Sequence, residues 1–262
     1  MKKTIGRIYI LIIMLFLYLP ILTLIVLSFN DAKSMSVWTG FSLHWYQELF
    51  QSRLMMGAIV NTFSIAILAA LIATVVGTLA VLGMAAMKPR QENVLMAFNN
   101  IPMLNADIVT GIALMLFFLM VSWPRGYMSI LFAHTTFCIP YVILSVKPRL
   151  NKNTDRLFEA ALDLGASEKY AFRKIVLPEL KPGIMSGFLL SFTMSVDDFI
   201  ITYFTRGAGI NTISTLIYSE VKIGIRPSLF ALSTIIFVTA LVMLIIVNVR
   251  QNRLDKALAR SA

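Results

Sequence analysis

Four stretches of this chain, residues 8–29, 58–87, 126–146 and 227–249, contain no Asp, Glu, Lys or Arg at all. Each is long enough, at about 1.5 Å of rise per helical residue, to cross a hydrocarbon core about 30 Å thick. Two more, 94–121 and 183–204, are equally apolar except for Asp107 in the first and the adjacent Asp197 and Asp198 in the second. In lipid the backbone must satisfy its own hydrogen bonds within each segment, so such stretches fold as helices. The chain is expected to be an all-α integral membrane protein with about six transmembrane helices, forming a single domain over residues 1–262. Composition agrees: 58% of the residues are hydrophobic and 14% charged, too few solvating groups for a soluble domain of 262 residues.

The placement of Lys and Arg predicts the orientation, because basic residues stay on the cytoplasmic side during insertion. With six spans and both termini in the cytoplasm, seventeen of the 23 Lys and Arg residues fall in cytoplasmic segments. The net charge of +10 is thus a topology signal. A nucleic-acid partner would want a folded basic face, and no soluble domain is left to carry one. The N-terminal apolar run follows Lys2 and Lys3 as a signal peptide would. Its length and the lack of a small-residue cleavage pattern predict an uncleaved first helix. Cys138 is the single cysteine, which excludes an intrachain disulfide.

Between the first two spans lies an aromatic segment containing Trp38, Phe41, Trp45 and Tyr46, a composition suited to the membrane interface. Pro102, Asn105 and Asp107 predict a kinked or broken third helix. The long segment 147–182 predicts a cytoplasmic helix-turn-helix. Thr154 caps a helix to about Asp163, Gly165 turns the chain, Ser167 caps a second short helix and Pro178 ends the unit. Its Leu157, Phe158, Leu162, Leu164, Tyr170 and Phe172 offer more apolar surface than an isolated loop tolerates, so a partner is expected to cover it. An amphipathic loop lying on anionic lipid is the other reading of this basic and aromatic mixture.

Within that segment stand Glu159-Ala160-Ala161, then Gly165, then Ile175-Val176-Leu177-Pro178. This pattern resembles the EAA loop in membrane-spanning subunits of binding-protein-dependent ABC importers. The resemblance implies a type I ABC importer permease fold, with Glu159, Ala160, Ala161, Gly165, Leu177 and Pro178 coupling the chain to a cytoplasmic ABC ATPase dimer. It also implies a second homologous permease subunit, an extracytoplasmic binding protein and a bacterial inner or plasma membrane. Further stretches resemble the spermidine/putrescine permease subunits. They are Trp38-Thr39-Gly40-Phe41-Ser42, Ala133-His134-Thr135-Thr136-Phe137-Cys138-Ile139-Pro140 and Ser191-Phe192-Thr193-Met194-Ser195-Val196-Asp197-Asp198. One departure is Ala106, where that family usually has proline before the aspartate; Pro102 is then expected to supply the kink.

Carboxylates inside a span usually face a cavity, a partner or a solute path. Asp107 lies thirteen residues beyond Val94 and Asp197 fourteen beyond Gly183, so both stand about 20 Å along their helices and converge at one depth. A polyamine needs carboxylates for its ammonium groups and apolar or aromatic walls for its methylenes. Asp107, Asp197, Asp198, Phe192 and Tyr203 are the expected substrate-path residues, with Phe199 and Phe204 beside them. Adjacent helical residues point about 100° apart, so one acid of the pair lines the path while the other meets a neighbouring helix or the partner permease. A structural ion pair with an adjacent subunit is the alternative role for either acid. His134 and Cys138 sit one turn apart, but two ligands do not make a metal site; a hydrogen-bonded packing histidine is expected.

No phosphate-binding Gly-x-x-x-x-Gly-Lys-Ser/Thr stretch occurs, so ATP with its Mg would be hydrolysed by a partner subunit; the chain needs no cofactor and is no enzyme. Other solutes remain open at this point: another organic cation, thiamine or iron. An intramembrane aspartyl hydrolase would require Asp107 to share a proton with a helix 5 acid, and it leaves the cytoplasmic helix-turn-helix unexplained.

Overall fold

A computed structural model describes residues 2–33, 37–150, 152–239 and 241–242. Among them the regular structure is helical, the one β contact being an isolated bridge between Asn30 and Phe41. The chain divides into two compact units, residues 1–56 with 217–262, and 57–216.

In the first unit α1 (Lys2–Ser28) is apolar all round, as a lipid-facing span should be. The polar turn after it is tied together by Asn30. Its side chain bonds the Val37 carbonyl at 2.8 Å and the Thr39 amide at 3.1 Å, and its carbonyl accepts from the Trp45 indole at 2.6 Å. Trp45 is therefore buried at the start of α2 (His44–Gln51), while Trp38 and Phe41 stay exposed. The aromatic segment is thus partly exposed and partly packed over its own helix end. Near the other end of the chain, Arg226 pairs with buried Glu220 at 3.0 Å.

The second unit is built around α3 (Arg53–Ala85), α6 (Tyr127–Val146) and α9 (Leu177–Asp197). Glycines set how closely α9 meets α6. A Cβ on Gly183 would stand 2.8 Å from the Ser145 carbonyl oxygen, and one on Gly187 would stand 3.2 Å from Val142 Cα. The small-residue step at the start of the fifth span therefore serves the packing expected of it. The core is continuous from Val81 and Phe118 through Phe137, Cys138 and Val142 to Val176 and Leu180.

The stretch expected to form the third span is two helices. α4 (Pro89–Leu104) and α5 (Asp107–Met120) meet at 104° across Asn105 and Ala106. The rise computed along one straight axis does not apply to it. The fifth span differs too: α9 stops at Asp197 and a short α10 (Ile200–Thr205) resumes after Phe199. α11 (Ile213–Ile223) follows, and the sixth predicted span is described as the apolar helix α12 (Ser228–Thr239). Positions 243–249 of that span lie outside the described residues. Among the described residues four helices are long and apolar enough to cross a membrane, or five when the bent pair is counted as one span.

The segment between α6 and α9 holds α7 (Lys152–Asp163) and α8 (Glu168–Ala171), turned by Gly165 at a φ of +87°. Ser167 caps α8 as its sequence predicts, accepting from the Tyr170 amide at 3.4 Å. Thr154 does not cap α7; it lies inside the first turn and donates back to the Arg149 carbonyl at 3.4 Å. Pro178 does not end the unit either: a π-turn at Phe172–Val176 joins α8 to α9 as one helix, Glu168–Asp197, and Pro178 stands inside it, just past that irregular turn.

Candidate functional site: an acidic cavity at two helix breaks

The two breaks lie together. Asp107 is the first residue of α5, and Gly111 lets that helix press on α10: a Cβ there would stand 3.1 Å from the Phe204 ring and 3.5 Å from the Ile200 carbonyl. Asp107, Asp197 and Asp198 thereby line one cavity of about 230 Å³. Its other walls are apolar and aromatic, chiefly Phe137, Tyr141, Phe199, Met103 and Met194. An open cavity with clustered carboxylates and greasy walls suits a flexible organic cation, whose charges need oxygen partners and whose carbon chain does not.

The adjacent acids have different surroundings. Asp197 is exposed to the cavity. Asp198 is turned back into the protein, its side chain only 8% exposed. One of its oxygens accepts from the Ile201 amide at 3.2 Å, the other from the Thr202 amide and hydroxyl, both at 2.8 Å. Its backbone carbonyl accepts from the Ser214 hydroxyl at 2.7 Å. The same carboxylate lies 3.3 Å from Nε2 of His134, a ring that is 1% exposed. His134 also meets Ser195 through Nδ1 at 2.6 Å and Thr202 through Nε2 at 2.8 Å. It is hydrogen-bonded between helices, as its sequence context predicts. Cys138 Sγ is engaged separately, donating to the Ser191 carbonyl at 3.4 Å. Among the described residues no group of three or more His, Cys, Asp or Glu is placed to hold a metal ion.

Two expected aromatics lie elsewhere. Phe192 does not line the acidic cavity; it stacks between Phe63 and Phe188, each ring centroid 6.5 Å away. Tyr203 lines a second cavity with Arg125 and Arg206, the Arg206 guanidinium standing 5.6 Å from its ring centre. Phe137 and Tyr141, which sequence reasoning missed, take the walls instead. They lie beside the break because α6 packs on it, and only a tertiary contact reveals that.

The segment between α6 and α9 is largely open to its surroundings. Glu159, Ala160 and Gly165 are exposed, as are Leu177 and Pro178, while Ala161 is half-buried. Of the apolar residues, Phe158 and Phe172 turn against the core, whereas Leu157, Leu164 and Tyr170 remain exposed, Leu164 at 90%.

Comparison with known proteins agrees with this architecture. Residues 77–260 match the family described as the inner membrane component of binding-protein-dependent transport systems. The spermidine/putrescine transport system permease protein PotC of Haemophilus influenzae is 38% identical over 231 residues, covering 88% of this chain and 90% of that protein. The putrescine transport system permease protein PotI of Escherichia coli is 39% identical over 228 residues, covering 84% and 81%. Among solved structures, a bacterial ABC transporter involved in import of the acidic polysaccharide alginate superposes with a TM-score of 0.70 at 18% identity, over 96% of this chain and 98% of that one. The MetNI methionine ABC transporter, in inward-facing conformations, gives 0.61 at 18% identity, over 76% and 96%. These likenesses give the fold as that of type I ABC importer permeases, and the relatives are transport permeases rather than enzymes. With its helical architecture, the match over residues 77–260 and these relatives, the chain belongs to the family of inner-membrane components of binding-protein-dependent ABC transport systems.

Proposed function

We propose that this chain is the membrane-spanning permease subunit of an ATP-driven importer for polyamines, putrescine or spermidine. The observation that carries the reading is the acidic cavity: Asp107 and Asp197 are exposed in it beside aromatic and methionine walls, a composition that fits a chain of methylenes with an ammonium at each end. The polyamine names of the relatives support the same solute. Asp107, Asp197 and Asp198 form the acidic part of the path, and Phe192 and Tyr203 supply aromatic surface along it away from this cavity.

The chain works beside a second, similar permease, an ABC ATPase dimer and an extracytoplasmic binding protein. The exposed face of α7 with Glu159 and Ala160, together with Leu177 and Pro178, docks on the ATPase. Because α8 runs unbroken into α9, a push on the coupling segment travels along one helix, Glu168–Asp197, to the acid pair at its far end. Both termini lie in the cytoplasm, as the distribution of Lys and Arg supports.

The test is ATPase activity of the assembled complex in nanodiscs with its binding protein, challenged with putrescine, spermidine, thiamine and ferric iron. Stimulation by a polyamine is expected. Stimulation by thiamine or iron alone would overturn the solute and keep the transporter.

A further inference from the structure

We propose that His134 is a positioning residue of the solute path. Through Nε2 it fastens Asp198 across the break between α9 and α10 and so leaves Asp197, of the adjacent pair, to face the solute. The inference rests on reading the acidic cavity as that path.

The tautomer follows from counting hydrogens. A carboxylate only accepts, so the Thr202 hydroxyl, 2.8 Å from the Asp198 oxygen, gives its single hydrogen there. His134 Nε2 stands 2.8 Å from that same hydroxyl and must therefore donate to it. The Asp198 carboxylate lies 3.3 Å from the same nitrogen. On the other side of the ring the Ser195 hydroxyl is 2.6 Å from Nδ1, its one described partner, and its hydrogen is placed by donating to that nitrogen.

The consequence is mechanical. Ser195 belongs to the last turn of α9 and Thr202 to α10, so one ring on α6 grips both sides of the break. Asp198 receives the Ile201 amide, the Thr202 amide and hydroxyl, and the imidazole, which satisfies its charge without a solute. Were the break to heal into continuous helix, the Ile201 and Thr202 amides would return to backbone carbonyls and Asp198 would lose its partners. His134 thus stabilises the broken form, the one in which Asp197 is exposed to the cavity.

The test uses the full complex in proteoliposomes, reading both polyamine uptake and copurification with the ATPase. His134→Phe should assemble and slow uptake about tenfold, the effect of losing one hydrogen bond to a charged group. His134→Gln, whose amide reaches the Nε2 position, should recover to within about threefold, whereas His134→Asn, whose amide reaches only the Nδ1 position, should not. In an Asp198→Asn background His134→Phe should add less than about twofold, since both changes act through one carboxylate. Equal rates for the Gln and Asn variants, or full additivity with Asp198→Asn, would overturn the assignment. If His134→Phe does not assemble, the Gln and Asn pair decides alone. A wild-type complex that ignores polyamines defeats the solute reading instead, and the same variants are then read on whichever solute stimulates the ATPase.

Discussion

Replacing Asp197 by Asn removes one charge from the acidic cavity while keeping the shape of the side chain. Asp197 is exposed there, and the change leaves the four donors around Asp198 in place, so folding and assembly should survive. A hydrogen bond to a charged group contributes about 1.5–3 kcal/mol, and about 1.4 kcal/mol is a factor of ten in rate. Because water reaches the cavity and screens the charge, the lower figure applies. Uptake by the reconstituted complex, at saturating loaded binding protein, should therefore slow about tenfold. Asp198→Asn should behave differently. Its amide nitrogen must replace an oxygen that now accepts from a backbone amide at 2.8 Å or 3.2 Å, and an orphaned buried donor costs about 1–3 kcal/mol. That variant should lose thermal stability of the detergent-solubilised complex as well as uptake. Unchanged uptake in Asp197→Asn, or the same stability loss in both variants, would refute the division of roles between the two acids.

Other consequences test the packing and the coupling. Gly183→Val should force α6 and α9 apart, because its Cβ meets the Ser145 carbonyl at 2.8 Å and Val146 Cα at 3.1 Å; overpacking of about 1–3 kcal/mol predicts a lower melting temperature and lower yield of the complex. Gly83→Ala, whose Cβ meets nothing within 4 Å, should melt at or slightly above the wild-type temperature. Glu159→Lys reverses the charge on the exposed face of α7 and should leave membrane insertion intact while abolishing solute-stimulated ATPase activity; normal stimulation would remove the docking role from that face.

Much of this molecule is legible in its residues because lipid leaves so few options. The charge-free stretches had to be helices, and Pro102 with Asn105 announced the break before Asp107. What sequence could not supply was geometry across helices. The expectation of a common depth for Asp107 and Asp197 assumed straight axes, yet the 104° bend brings them together by another route. The opposed environments of Asp197 and Asp198 depend on α9 ending between them, and a run of apolar residues continuing through Phe199 and Ile200 gives no such signal. Pro178 reads as a stop in sequence, yet the helix passes through it by way of the π-turn at Phe172–Val176, which no local residue pattern announces. Phe192 and Tyr203 were placed by proximity in sequence, but a helix turns them away, and the walls come from Phe137 and Tyr141 on α6.

The most direct measurement is a structure of the assembled complex trapped with spermidine bound. The account predicts ammonium nitrogens about 2.7–2.9 Å from the carboxylates of Asp107 and Asp197, with Asp198 still bonded to His134 and Thr202. Spermidine bound away from this cavity, or Asp198 released from His134 to hold an ammonium, would contradict it.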